Sequence, residues 1–155
     1  MTLSLSKHLS KAIKQLDSSN KLLSIELANS IKDKIKNQTE NWKPLKQKTK
    51  DNKPGKTKNK ILFHTGSMLR SIKGISSNYK IFVGTIIEYA RIHNEGGRIN
   101  KTVSVKSHSR KRKGKSETVK SHSRKMNLTI PKREFLFLGK SEESIIDAYA
   151  KRVIT

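Results

Sequence analysis

Apolar residues return at three- and four-residue spacing near the start of the chain, at Leu5, Leu9, Ala12, Ile13 and Leu16. That period predicts a helix from Leu3 to about Leu16 with its stripe turned toward a core. Asp17-Ser18-Ser19-Asn20 follows, a run of helix-capping residue types that predicts a break or a restart. Leu23, Leu27, Ala28, Ile31 and Ile35 then repeat the helical spacing, with lysines on the other face.

The pattern dissolves in NQTENWKPLKQKTKDNKPGKTKNK, where two prolines, a glycine and dense lysine predict an extended, mobile connection over residues 43–60. Trp42 and Leu45 stand out there as anchors for a core. ILFHTGSMLRSIKG predicts a short helix capped by Thr65 or Ser67, with Met68, Leu69 and Ile72 facing inward and Gly74 stopping it. Tyr79 to Thr85, YKIFVGT, mixes aromatic and β-branched residues as a strand does. IIEYARIHNEGG predicts a short helix with Ile86, Tyr89, Ala90 and His93 on one face, ended by Gly96-Gly97. INKTVSVKSHS and ETVKSHS predict the two arms of a hairpin. Ser141-Glu142-Glu143-Ser144 opens a last helix with acids in its first turn, and Ile145, Ile146, Tyr149 and Val153 form its apolar face. Helices, strands and a closing helix make this an α+β chain: N-terminal helices, a small antiparallel sheet with short helices, a C-terminal helix and a long basic hairpin.

At 155 residues, 32% of them hydrophobic, there is room for one domain over residues 1–155 and one small core. The formal charge of +23 is uneven. Residues 43–60 hold eight lysines against Asp51, and residues 101–125 hold ten Lys or Arg against Glu117. Such a balance favours anionic partners: nucleic acid, an acidic protein surface or an anionic membrane. The absence of cysteine suits a reducing compartment. The N-terminal stretch lacks the unbroken apolar run of a signal peptide and no stretch is apolar enough to span a bilayer, so a soluble protein made in the cytoplasm, without membrane contact, is expected.

The second basic segment states the heptad VKSHSRK twice. Folded as an antiparallel hairpin centred on Lys115, it sets His108 opposite His122, Lys106 opposite Arg124 and Arg110 opposite Lys120, all on one cationic face. Like charges opposite one another are destabilising and an isolated hairpin is marginal, so residues 101–127 are expected to form a mobile arm that orders against a partner. It carries no aromatic for base stacking and no Asn or Gln on its basic face to read adenine, which favours phosphate-backbone contact or protein contact over sequence readout. Two histidines do not make a metal site.

Catalytic chemistry is thin. His64 and His93 sit in apolar contexts, the acids form no spaced pair, Gly96-Gly97 is no phosphate-cradling loop, and Ser67 and Ser71 have no triad logic. No catalytic, cofactor or metal role is expected of any residue, and the chain is expected not to be an enzyme.

Four segments in order carry a resemblance: NWKPLKQKT, ILFHTGSMLRSI, VGTIIEYARIHNEGG and IPKREFLFLGKSEESII. They resemble the bacteriophage virion morphogenesis or tail completion family, with its W-x-P-L, Y-A-x-x-H-x-x-G-G and I-P-x-R-x-F-L patterns, from about Asn41 to the C-terminus. Lys132 and Glu134 depart from it, flanking Arg133 where small residues or proline are commoner. The motif residues make sense as scaffold. Thr65 caps a helix, Gly66 allows close packing, Gly84 ends a strand, Tyr89 and His93 share a helix face, Gly96-Gly97 permits a sharp exit, and Pro131 and Phe135 pin the last helix to the sheet.

The resemblance implies a structural protein of a tailed phage virion, assembled in the host cytoplasm. It would complete or terminate the tail and enable head–tail joining, as a homo-oligomeric ring bound to tail-tube or connector proteins. Trp42, Arg133 and the arm bearing Lys106, His108, Arg110, Lys120, His122 and Arg124 are the expected assembly or anion contacts. The alternative is a basic nucleic-acid-binding protein that contacts the phosphate backbone.

Overall fold

The structure, a computed structural model, describes residues 2–112 and 114–154. A single helix α1, Thr2–Asn37, takes the place of the two expected N-terminal helices. The run 17–20 does not break it, because its polar groups find partners inside or beside the helix. Ser18 Oγ donates to the Lys14 carbonyl one turn back at 2.9 Å, and the buried Asn20 accepts from Tyr149 at 2.5 Å. A capping residue supplied with a tertiary partner has no need to end a helix.

The two halves of α1 differ. Leu23, Leu27, Ala28, Ile31 and Ile35 are buried, as their spacing predicts. In the first half Leu9 is 62% and Ile13 40% exposed, Ala12 is exposed, and Leu16 is only half-buried, so that stripe does not face a core. Burial of the Leu5 side chain falls outside the described residues.

The basic connection 43–60 is not extended: it winds into a one-turn helix α2, Gln47–Asp51, and a 3-10 turn at Gly55–Thr57, neither burying a residue. Both ends are tied down. Trp42 packs on the core, and the Gln38 amide pairs with both backbone groups of Ile61, accepting from its nitrogen at 2.7 Å and donating to its oxygen at 3.0 Å. Helix α3, Ser67–Ser71, follows, with Met68 and Ile72 buried. Gly66 is its N-cap, held in the left-handed region at φ 79°. Thr65 assists, its Oγ1 accepting from the Ser67 nitrogen at 3.4 Å.

Strands β1, Lys73–Ser77, and β2, Lys80–Gly84, pair antiparallel through the two-residue turn Asn78-Tyr79. Both turn residues have positive φ, 50° and 58°, the twist that suits a tight hairpin. Gly74 does not stop α3. It lies in β1 against α1, where an added Cβ would sit 1.8 Å from the Ser24 carbonyl oxygen. Only glycine lets the hairpin and α1 come this close. Gly84 closes β2, as expected.

Helix α4, Glu88–Glu95, exits through Gly96 at φ 75°, where a Cβ would meet the Lys132 backbone at 2.7 Å. The chain then runs into β3, Gly97–Val105; β4, His108–Arg112; β5, Lys115–Val119; and β6, His122–Ile130, before helix α5, Lys140–Ile154. The α+β class holds, but the sheet is three separate two-stranded pieces: β1–β2, β3–β6 and β4–β5. The core gathers Ala28, Ile31 and Ile35 of α1, Met68, Ile72, Ala90 and Phe135. Phe135 is fully buried in this core, against which Val83 of β2 also packs, and α5 packs on α1. Val153, assigned to the buried face of α5, is 44% exposed. No helix among the described residues is long and apolar enough to cross a membrane.

Candidate assembly surfaces

From Gly97 to Ile130 the chain forms one long ribbon. Val105 lies opposite His122 on the near side of a break at residues 106–107 and 120–121, and His108 lies opposite Val119 beyond it. The two copies of the heptad thus occupy equivalent places about the break, each histidine facing the other copy's valine. Each also makes the same local contact: His108 Nδ1 to the Lys106 carbonyl and His122 Nδ1 to the Lys120 carbonyl, both at 3.0 Å.

This is not the register expected from the sequence. His108 does not face His122, Lys106 does not face Arg124, and Arg110 does not face Lys120. Lys115 does not sit at the tip but pairs with Arg112, and Gly114 at φ 79° supplies the left-handed position of the turn. Apart from Arg112 opposite Lys115 next to the turn, the register formed sets no like charges directly opposite, and it places Arg110 beside Glu117 at 3.3 Å. Among the described residues no group of three potential metal ligands comes together.

Alternation gives the β3–β6 segment two unlike faces. Arg98, Asn100, Thr102 and Ser104 share one with Ser123, Lys125, Asn127 and Thr129, all polar. Ile99, Val103, Val105, Met126, Leu128 and Ile130 share the other with Lys101, His122 and Arg124. Beyond marginal contacts, no other helix or strand among the described residues packs against β3 or β6. Leu128 is 42% exposed and its apolar companions are half-buried.

A second apolar face is bare on the outside of the β1–β2 hairpin, where Ile75 and Phe82 pair across the strands beside Tyr79, all well exposed. Neither face was singled out from the sequence. The alternation Met126, Leu128, Ile130 was a signal for the first, masked by the charge around it. The second depends on β1, which has one large apolar residue.

Trp42 and Arg133 meet in a strap that ties residues 131–137 to the body. The Trp42 indole donates to the Glu134 carbonyl at 2.8 Å, and Arg133 Nε donates to the Lys43 carbonyl at 3.1 Å. From α4, the His93 carbonyl accepts from the Arg133 nitrogen at 2.9 Å. The Asn94 side chain accepts from the nitrogens of Phe135 and Leu136 at 3.0 and 2.9 Å. Pro131 opens this strap directly after β6. Tyr89 and His93 do share a face of α4, ring edge to ring face with centroids 6.2 Å apart. Burial first, and then the Arg133 charge, hold His93 below the ordinary imidazole pKa.

A buried ion pair joins α5 to α1. Lys34 Nζ lies 2.6 Å from Glu142 Oε2. Ser30 Oγ donates to Glu142 at 2.5 Å and the Gly139 nitrogen at 2.9 Å. Burial alone pushes the Glu142 carboxyl up, but the hydrogen bonds from Lys34, Ser30 and Gly139, with the Lys34 charge, outweigh it and leave the pKa below the usual carboxylate value.

Compared with known proteins, residues 3–154 match a model of the phage virion morphogenesis family. No curated protein and no solved structure matches the chain.

Proposed function

The chain belongs to the phage virion morphogenesis family and serves in building the virion, and from that premise we propose that it completes or terminates the tail and prepares head–tail joining. It acts by binding, without a catalytic step, as a ring of copies seated on tail-tube or connector proteins. The observation that carries this reading is the bare apolar face of the β3–β6 ribbon. A two-stranded ribbon is marginal by itself and gains stability when its apolar face is covered, and exposed contiguous apolar surface marks protein contact. The second bare face, on β1–β2, offers a copy two different patches, as a head-to-tail ring requires.

Electron microscopy of lysates from the parent phage lacking this gene tests the reading. DNA-filled heads beside unjoined tails, or tails of uncontrolled length, are expected; normally joined virions would sink it.

The ribbon tip favours a second contact. By sequence the tip from Arg110 to Lys115 holds five Lys or Arg, with Glu117 as the nearest acid, and Arg110 is paired with Glu117. Such a tip suits the phosphate backbone of DNA at the joint. Duplex binding by the purified chain should then weaken linearly with the logarithm of salt concentration, and a flat salt response would exclude it.

A further inference from the structure

Two cations of the body are equally hidden. Lys34 and Arg133 are each 7% exposed. Lys34 is fully provided for: Glu142 at 2.6 Å, the Phe137 carbonyl at 3.2 Å, and the Phe137 ring 3.8 Å away. Arg133 has the Lys43 carbonyl on Nε and, among the described residues, no carboxylate. The acid next to it in sequence, Glu134, is paired with Lys132 at 2.7 Å.

The surroundings of Arg133 are basic. Lys53 and His93 both feel its charge, and burial together with that charge lowers the pKa of each. His93 Nδ1 is enclosed and has no hydrogen-bond partner. It is the one such side-chain nitrogen or oxygen among the described residues, so the unpaired terminal nitrogens of Arg133 keep some access to the outside.

Buried charges in proteins are paired, because an unpaired one forfeits its hydration with nothing in return. A guanidinium fork suits a planar two-oxygen anion. Access this narrow admits a side chain more readily than a duplex backbone, whose phosphates sit on a convex rod. We propose that Arg133, with His93 and Lys53 beside it, is a socket for a carboxylate side chain presented by a neighbouring protein subunit in the assembly. The inference rests on the assembly reading and supplies it with a specific contact. The counter-ion missing from the free chain arrives on docking, so the socket favours the assembled state over the free one.

The test uses the full chain and a phage deleted for the gene, complemented from a plasmid. Arg133→Met removes the charge and keeps much of the volume. The purified variant is expected to melt within about 4 °C of the native chain, because losing the hydrogen bond to the Lys43 carbonyl is offset by removing an uncompensated buried charge, yet to fail in complementation. Arg133→Lys, which keeps the charge and loses the fork, is expected to rescue partially.

Sedimentation of the purified chains identifies the subunit that brings the carboxylate. Self-association weakened by about 30-fold or more in Arg133→Met points to a second copy; self-association unchanged while complementation fails points to another virion protein. Either supports the socket. A melting point lowered by about 10 °C or more would overturn it by showing that the charge is already compensated within the chain. Full rescue by Arg133→Met would also overturn it. Failed rescue with a duplex-DNA salt slope reduced by about one would hand the site to a phosphate. Normal virions from the deletion itself would sink the assembly reading, an outcome distinct from all of these.

Discussion

The short β1–β2 hairpin and the longer β3–β6 ribbon are built alike and covered differently. Both β1–β2 and β3–β6 are antiparallel and alternate their side chains between two faces. The first lays one face on α1, so closely that Gly74 approaches the Ser24 carbonyl with no room for a Cβ. The second has a longer and more apolar face, and among the described residues no other helix or strand packs on it beyond marginal contacts. The difference lies in what covers them, not in strand chemistry: the β1–β2 hairpin is held in the fold of one chain, and on the proposed assembly reading the β3–β6 ribbon is left for a partner. Stability should therefore respond to the body and assembly to the ribbon.

The largest loss of stability is expected from Glu142→Ala. It strands Lys34 as a buried charge and removes the acceptor for Ser30 and Gly139, which should cost about 3–5 kcal/mol in denaturant unfolding. Gly74→Ala should follow at about 1–3 kcal/mol, because α1 and β1 must separate. A Gly74→Ala chain as stable as the native one would mean that the hairpin is not held on α1 at all.

Acid should weaken the body in two stages. His93 has its folded pKa below the ordinary 6.5, so the unfolded chain takes up a proton first and stability falls as pH drops below 6.5 toward the folded value. Glu142 has its folded pKa below the ordinary 4.5. Its contribution is complete above 4.5 and is lost as pH falls further, through the folded value. His93→Phe should erase the upper stage of the pH–stability curve, and Glu142→Gln the lower one. A single stage unaffected by His93→Phe would contradict the burial assigned to that ring.

The smallest change in stability is expected on the ribbon. Val103→Asp with Met126→Asp places two charges on its apolar face and should leave unfolding of the body within about 0.5 kcal/mol. A cooperative loss of several kcal/mol would mean that the ribbon belongs to the same folding unit as the body, and would erase the contrast between the hairpins.

Much of the body was legible in the sequence, because its elements bury one face and so carry a period. The second half of α1, the inward residues of α3, the Gly96-Gly97 exit of α4 and the acidic start of α5 all follow from local pattern. The errors arise where a distant residue decides. Asn20 remains in a helix because Tyr149, at the other end of the chain, donates a hydrogen bond to its side chain. Strand β1 forms because β2 and α1 hold it, and its turn Asn78-Tyr79 lacks the glycine that usually announces such a hairpin. The heptad repeat invited an alignment of histidine with histidine, but the turn at Gly114 and the entry at Gly97 set the register. Of the candidate contacts, Trp42 proves to be a packing anchor for the strap, and the apolar ribbon face was hidden among its cations. The lack of an acid for Arg133 is a fact of three dimensions that no local pattern carries.

The most direct test of the account is complementation of the gene-deleted phage by the Val103→Asp, Met126→Asp chain, scored beside its unfolding curve. A chain that unfolds like the native one and yields no infectious particles is the predicted result. A chain that unfolds normally and restores full yield would contradict the assignment of the ribbon to assembly.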